Sequence, residues 1–247
     1  MPPNTNLSTK LDRYHARIKG NRWLRYFTVF NRVALAAGFL PSGFVKIAGE
    51  RFTSLSNNHP MGHYLEALFH TGYYYTFIGV AQMTAAILLL IPRTATLGAL
   101  LYFPIILNIF ILTYSVRFDG SMLTSPLMVL ANLYLLAWDY DKLKFILPFY
   151  KPAVPATIVP PKVRSNKFPF RFFAGVAATV FTVAVIIFNL YNIKPRNTLA
   201  ECRTQCRDSN NSQACFEFCD CIHENGQSLD QCLETYRAAG EDRPPNQ

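Results

Sequence analysis

Acidic residues are the scarce charge in this chain: 15 Asp and Glu stand against 24 Lys and Arg over 247 residues. No carboxylate falls inside a long apolar run, and Glu66 and Asp139 stand only at the edges of such runs. Together with the lack of an internal repeat, this argues against a proton-coupled small-solute transporter. Cysteine is absent from the first 200 residues. Neither Cys-x-x-Cys nor Cys-x-x-Cys-His occurs, so the usual dithiol-exchange motif and the haem attachment motif are both missing. Charge of either sign is low, at 16%, beside 51% hydrophobic and 14% aromatic residues, which excludes an ordinary soluble domain. The formal charge of +9 would suit nucleic acid, but the basic residues cluster beside apolar segments, where they set membrane orientation. Nucleic acid is not expected as a partner.

What is present begins with Tyr75–Tyr114, forty residues with one charge, Arg93, beside Pro92 near the middle. Each half is long enough to cross a hydrocarbon core of roughly 30 Å as a helix. Pro92-Arg93-Thr94 forms the turn of a transmembrane hairpin. The sequence predicts five spans: Thr28–Ala48, Tyr75–Ile91, Thr96–Tyr114, Met122–Trp138 and Phe172–Asn192. The fold class expected is an all-α membrane protein: a four-helix bundle, a fifth span, and a small disulfide-stapled helical module at the carboxyl end. Its parts are a basic segment (1–27), the bundle (28–147), a Pro/Lys-rich linker (148–171), the fifth helix (172–192) and the cysteine-rich module (193–247).

The basic amino-terminal segment is too long for a cleavable signal peptide, and no small-residue cleavage site follows the first apolar run. Leu11–Phe27 suits an interfacial helix on anionic lipid, with Trp23, Tyr26 and Phe27 at the headgroup level. Counting basic residues in flanking segments places the amino terminus, the Arg93 loop and the linker in the cytoplasm. Five crossings then put the carboxyl end outside, where disulfides persist. All six cysteines lie there.

Polar residues in or beside the spans are the candidate site. Arg32 and Lys46 lie fourteen residues apart, close to four helical turns, hence on nearly one side and about 21 Å apart along the axis. Either both snorkel to opposite interfaces, or they line a face meeting a headgroup, a quinone-like ligand or a carboxylate. Gln82, Asn108 and Asn132 need partners in lipid, supplied by other helices or by a ligand. His63, Glu66 and His70 share one side of a short helix between the first two spans, Met61–His70, and suit a polar stripe more than a metal site. No metal is assigned.

In the tail, Cys202 and Cys206, and Cys215 and Cys219, are each four apart and so share a helix face. Two such helices lying antiparallel would be cross-linked twice, Cys202–Cys219 and Cys206–Cys215, with Cys221–Cys232 closing a third loop. Six cysteines allow about fifteen connectivities, of which this is one.

An arginine followed by Gly38, Phe39, Gly43 and Lys46 in the first span, a Gln-containing second span with a Leu-rich end, and the Pro-Arg-Thr turn before Gly98 resemble the DoxX-like membrane proteins. The likeness covers residues 28–147; the fifth span and the tail depart from the pattern. It implies a four-helix bundle in a bacterial inner membrane, with Arg32 and Lys46 as family-typical positions. It also implies association with membrane oxidoreductase complexes, which include a thiosulfate:quinone oxidoreductase. The function expected is an accessory or anchoring membrane subunit with no cofactor, whose partners are the bilayer and other membrane or periplasmic subunits. The alternative is a quinone-reactive or redox subunit.

Overall fold

The computed structural model describes residues 14–144, 165–209 and 211–241. The polar amino-terminal tail and most of the linker read from the sequence lie outside these residues. The described chain is helical, with one isolated backbone bridge between Asn21 and Ser165. Five helices are long and apolar enough to cross a membrane, and the chain is a multi-pass membrane protein with a disulfide-bonded module at its carboxyl end.

Helix α1 (Arg22–Ile47) begins six residues before the expected span. Asn21 supplies the reason: its side-chain oxygen accepts from the Trp23 and Leu24 N–H groups, which caps the helix there. Arg22–Phe27 is therefore the first turn and a half of the span, so the interfacial helix expected over Leu11–Phe27 does not continue through these residues. Helix α2 (Pro60–Phe69) has proline at its first position and His59 as its cap. Helices α3 (Tyr73–Leu90) and α4 (Ala95–Ser115) form the hairpin, and α5 (Thr124–Trp138) follows a 3-10 turn at Asp119–Ser121. A single turn, α6 (Tyr140–Leu143), ends the bundle. Helix α7 (Phe170–Asn189) is the fifth span. The module holds α8 (Leu199–Gln205), α9 (Ser212–His223) and α10 (Leu229–Glu241).

Helices α1, α3, α4 and α5 close a ring, each packed on the next and α5 packed back on α1. Small residues set its tightness. A Cβ on Gly43 would meet the Gly79 carbonyl at 2.9 Å, and a Cβ on Gly79 would meet the Gly43 carbonyl at 2.8 Å, so α1 and α3 touch backbone to backbone. The core inside the ring is Leu35, Ala36, Phe39, Ala85, Ala86, Leu89, Ala99, Tyr102, Ile106 and Leu135. The Phe39 and Tyr102 rings stack at 3.7 Å, and the Tyr102 hydroxyl donates to the Leu35 carbonyl.

Helix α7 stands apart from the ring. Ile187 is its one buried residue, and the expected docking side of Ala174, Gly175, Ala177 and Ala178 is exposed. Its contact with the ring is aromatic instead: Phe172 and Phe173 pack edge-on against Phe27, and Phe168 against Trp23. Small side chains in lipid gain only by close backbone approach, and α7 does not come that near.

Candidate functional site

The five polar residues expected to share an intramembrane pocket occupy four separate places. Arg32 belongs to the amino-terminal end of the ring. There Asp139, only 7% exposed, has Arg32 at 3.7 Å, Lys142 at 3.4 Å and Lys19 at 3.8 Å. Thr96 at the start of α4 donates to the same carboxylate at 2.7 Å and accepts from Lys142 at 2.9 Å. One carboxylate thus ties α1, α4, α5 and the 14–19 stretch together. A buried carboxylate is stable only with such compensation. Lys19 also meets Asp141, whose carboxyl is pushed up by burial but is held below its ordinary range on balance by the Lys19 hydrogen bond and charge and by His15. The buried Arg32 Nε has no hydrogen-bond partner, so its pairing goes through the guanidinium tip.

Lys46 lies at the opposite end of α1, buried at 5%, with no carboxylate partner among the described residues. Its Nζ donates to the Ser42 carbonyl at 3.0 Å and to the Ser42 hydroxyl at 2.8 Å. It also sits 4.2 Å from the centre of the Phe52 ring, with Tyr75 at 5.8 Å, an aromatic half-cage for a cation. Ser42 in turn donates to Gln82 at 3.3 Å, so Lys46 and Gln82 form one corner between α1 and α3. Asn132 is fully buried between α5 and α4, donating to the Ala99 carbonyl at 3.1 Å, while its side-chain oxygen is unpaired. Asn108 is exposed on α4 and faces away from the ring.

On α2, Glu66 is held by Arg51 at 2.7 Å and by His70 at 3.0 Å, while His63 is exposed. Among the described residues, the one set of three potential metal ligands that converges is Cys206, Cys215 and Cys219, whose sulfurs are bonded in disulfides.

The module's bonds are Cys202–Cys219, Cys206–Cys215 and Cys221–Cys232, with Cα separations of 5.7, 5.4 and 5.8 Å. Cysteines 202, 206, 215, 219 and 232 are buried at 1% or less, around Phe218, Ile222 and Leu233. This small core docks on the ends of the ring through residues that sequence reasoning did not single out. Asp119 pairs with Lys194 at 3.5 Å and Arg196 at 3.1 Å. Arg117 donates to the Ile193 carbonyl at 2.9 Å and lies over the Tyr191 ring. Burial holds the Arg117 guanidinium below its ordinary value. Asn58 donates to the His223 carbonyl at 2.7 Å. His59 is 1% exposed, accepts from the Met61 N–H through Nδ1, and faces His223 at 6.0 Å between ring centres. Burial pushes its pKa down to about 4, helped by the nearby His223 and opposed by the Arg196 backbone and Asp119. A crevice of about 640 Å³ opens along this seam, bordered by Ser54, Ser56, Phe118, Asn197 and His223. The sequence signal for the seam was Asn57-Asn58-His59-Pro60 and the Arg117/Asp119 pair, polar residues packed into short turns between spans.

A 73-residue stretch of the chain, 30% of its length, is 44% identical to part of the uncharacterized protein YwoB of Bacillus subtilis (strain 168). The chain matches 46% of that relative's length. No family model and no solved structure matches the chain.

Proposed function

We propose that this chain is an accessory, anchoring subunit of a larger assembly in a bacterial inner membrane, with a DoxX-like bundle over residues 28–147. In this reading its amino terminus is cytoplasmic, and its cysteine module is a periplasmic docking surface for other membrane or periplasmic subunits. The observation that carries the reading is the seam. Asp119, Arg117, Asn58 and His59 hold the module in one orientation on the bundle, a construction suited to presenting a fixed surface. The buried sulfurs of Cys202–Cys219 and Cys206–Cys215 support a structural use of these two disulfides, because thiol exchange needs an accessible sulfur.

Purification in mild detergent at native expression, with a photo-crosslinking residue at the exposed Glu217 of α9, tests the reading. A stoichiometric co-eluting protein, crosslinked through the module, is expected. A chain that elutes alone and forms no crosslink overturns it. Orientation has its own test. Alkaline phosphatase fused after Gln247 should be active, and a fluorescent fusion that lights up in the cytosol reverses the assignment. The redox alternative has one observation in its favour, Lys46 beside Gln82 without a carboxylate, and quinone extracted with the purified protein would support it.

A further inference from the structure

A cleft of about 720 Å³ separates the open side of α7 from α1 and α5. Its walls are mostly apolar, and small residues make it: Ala34 on α1, Ala131 on α5 and Gly175 on α7. A Cβ placed on Gly175 would meet nothing within 4 Å. On α1 the lining runs from Phe27 to Leu35, and on α7 from Arg171 to Val180. At 1.5 Å per residue these walls are about 12 to 14 Å long, close to half of a roughly 30 Å hydrocarbon core. Both walls start at the amino-terminal end of the ring, and on α5 the lining runs from Tyr134 near that end to Thr124, the first residue of that helix, so the cleft is entered on the amino-terminal side and extends from there toward the other end. Arg171 stands at its mouth, exposed and with no hydrogen bond or ion pair among the described residues.

We propose that this cleft is a binding site for one anionic phospholipid of the leaflet on the amino-terminal side. One acyl chain fills the space between Ala34, Ala131 and Gly175, and the phosphate meets the Arg171 guanidinium. The cleft matches the chain in depth and polarity, and the arginine matches the headgroup in charge and height. Helix α7 meets the ring through Phe172 and Phe173 and is buried at Ile187, and the cleft along its first half leaves room for a filler. A lipid chain supplies that filler without a polar group to satisfy. On the orientation proposed above this leaflet is the cytoplasmic one, whose anionic lipids attract basic residues.

Native mass spectrometry of the full chain, delipidated in detergent and titrated with phosphatidylglycerol or phosphatidylcholine, tests the site. Wild type is expected to retain one phosphatidylglycerol under activation that strips the rest, and to retain phosphatidylcholine at least fivefold less. Arg171→Gln should erase that headgroup preference, and Gly175→Phe should abolish retention of both lipids. Ala34→Phe fills the cleft from the other wall and serves where Gly175→Phe fails to fold; unchanged circular dichroism certifies either variant. Equal retention by wild type and the filled variants overturns the site, as does extraction of an isoprenoid quinone from the cleft in place of phospholipid. A reversed topology in the fusion assay would change only which leaflet supplies the lipid, and loss of co-eluting partners would leave these results untouched.

Discussion

The bundle and the module solve the same packing problem with different means. The ring of four helices is held by backbone contact at Gly43 and Gly79, by aromatic stacking, and by one carboxylate gathering cations at its end. It needs no covalent cross-link, because lipid denies its backbone any alternative to helix. The module has three short helices and a core of few apolar side chains, too little burial to offset chain entropy in water. Three disulfides make up the difference. Solvent, more than sequence length, decides which device a helical unit needs.

Reducing all three disulfides breaks the comparison most deeply. Each closed loop of roughly 10–17 residues is worth about 3 kcal/mol, so the reduced module should unfold outright. Protease digestion within residues 199–241 should report this, while the fluorescence of Trp23 and Trp138, both at the far end of the ring, stays unchanged. A simultaneous change in both signals would show that the two units are one cooperative system.

Asp139→Asn attacks the bundle in the complementary way. It leaves Arg32, Lys19 and Lys142 crowded without a countercharge, and we expect a loss of about 3 kcal/mol. Thermal unfolding of the detergent-solubilised bundle should fall by several degrees with the disulfides intact. Asp139→Glu should recover part of it.

Acid sharpens the comparison at the seam. Since the docked state keeps His59 neutral down to about pH 4, against an ordinary value of 6.5, the undocked state takes up the proton first. Docking stability is therefore full above about pH 6.5, declines as the pH falls toward about 4, and levels off below that. The total is on the order of 3 kcal/mol. Protease sensitivity of residues 193–198 as a function of pH measures it, and His59→Gln should flatten the profile. Asn58→Ala, which removes the side-chain bond to the His223 carbonyl, is the mildest change, at about 1 kcal/mol. It should loosen the seam without moving its pH dependence.

The number and order of spans were legible because apolar runs near 20 residues admit one structure in lipid. The pairing of Cys202 with Cys219 and Cys206 with Cys215 was legible for a similar reason: two i, i+4 pairs on antiparallel helices leave one compact arrangement. Side-chain partners across helices were not. Rotation about each helix axis decides whether Asn108 meets lipid or Asn132 meets Ala99, and runs hydrophobic on every side carry no signal of that rotation. Asp139 looked merely interfacial, yet it binds the cations that Arg32 alone suggested. The acidic partner of a basic span residue lay more than a hundred residues away in sequence, beyond any local pattern. The small-residue side of α7 misled because it marks where close packing is possible, not where it occurs.

Among the described residues, the ring contacts and hydrogen bonds that hold the fifth span gather at its two ends. At one end Phe168, Phe172 and Phe173 meet Trp23 and Phe27; at the other Tyr191 donates to the Tyr114 carbonyl and the module grips Asp119. A rod clamped this way does not depend on the covalent tether after span four for its position. Cutting the gene within that tether and co-expressing the halves should therefore return an intact complex, with the second half carrying its own crossing and its own staples.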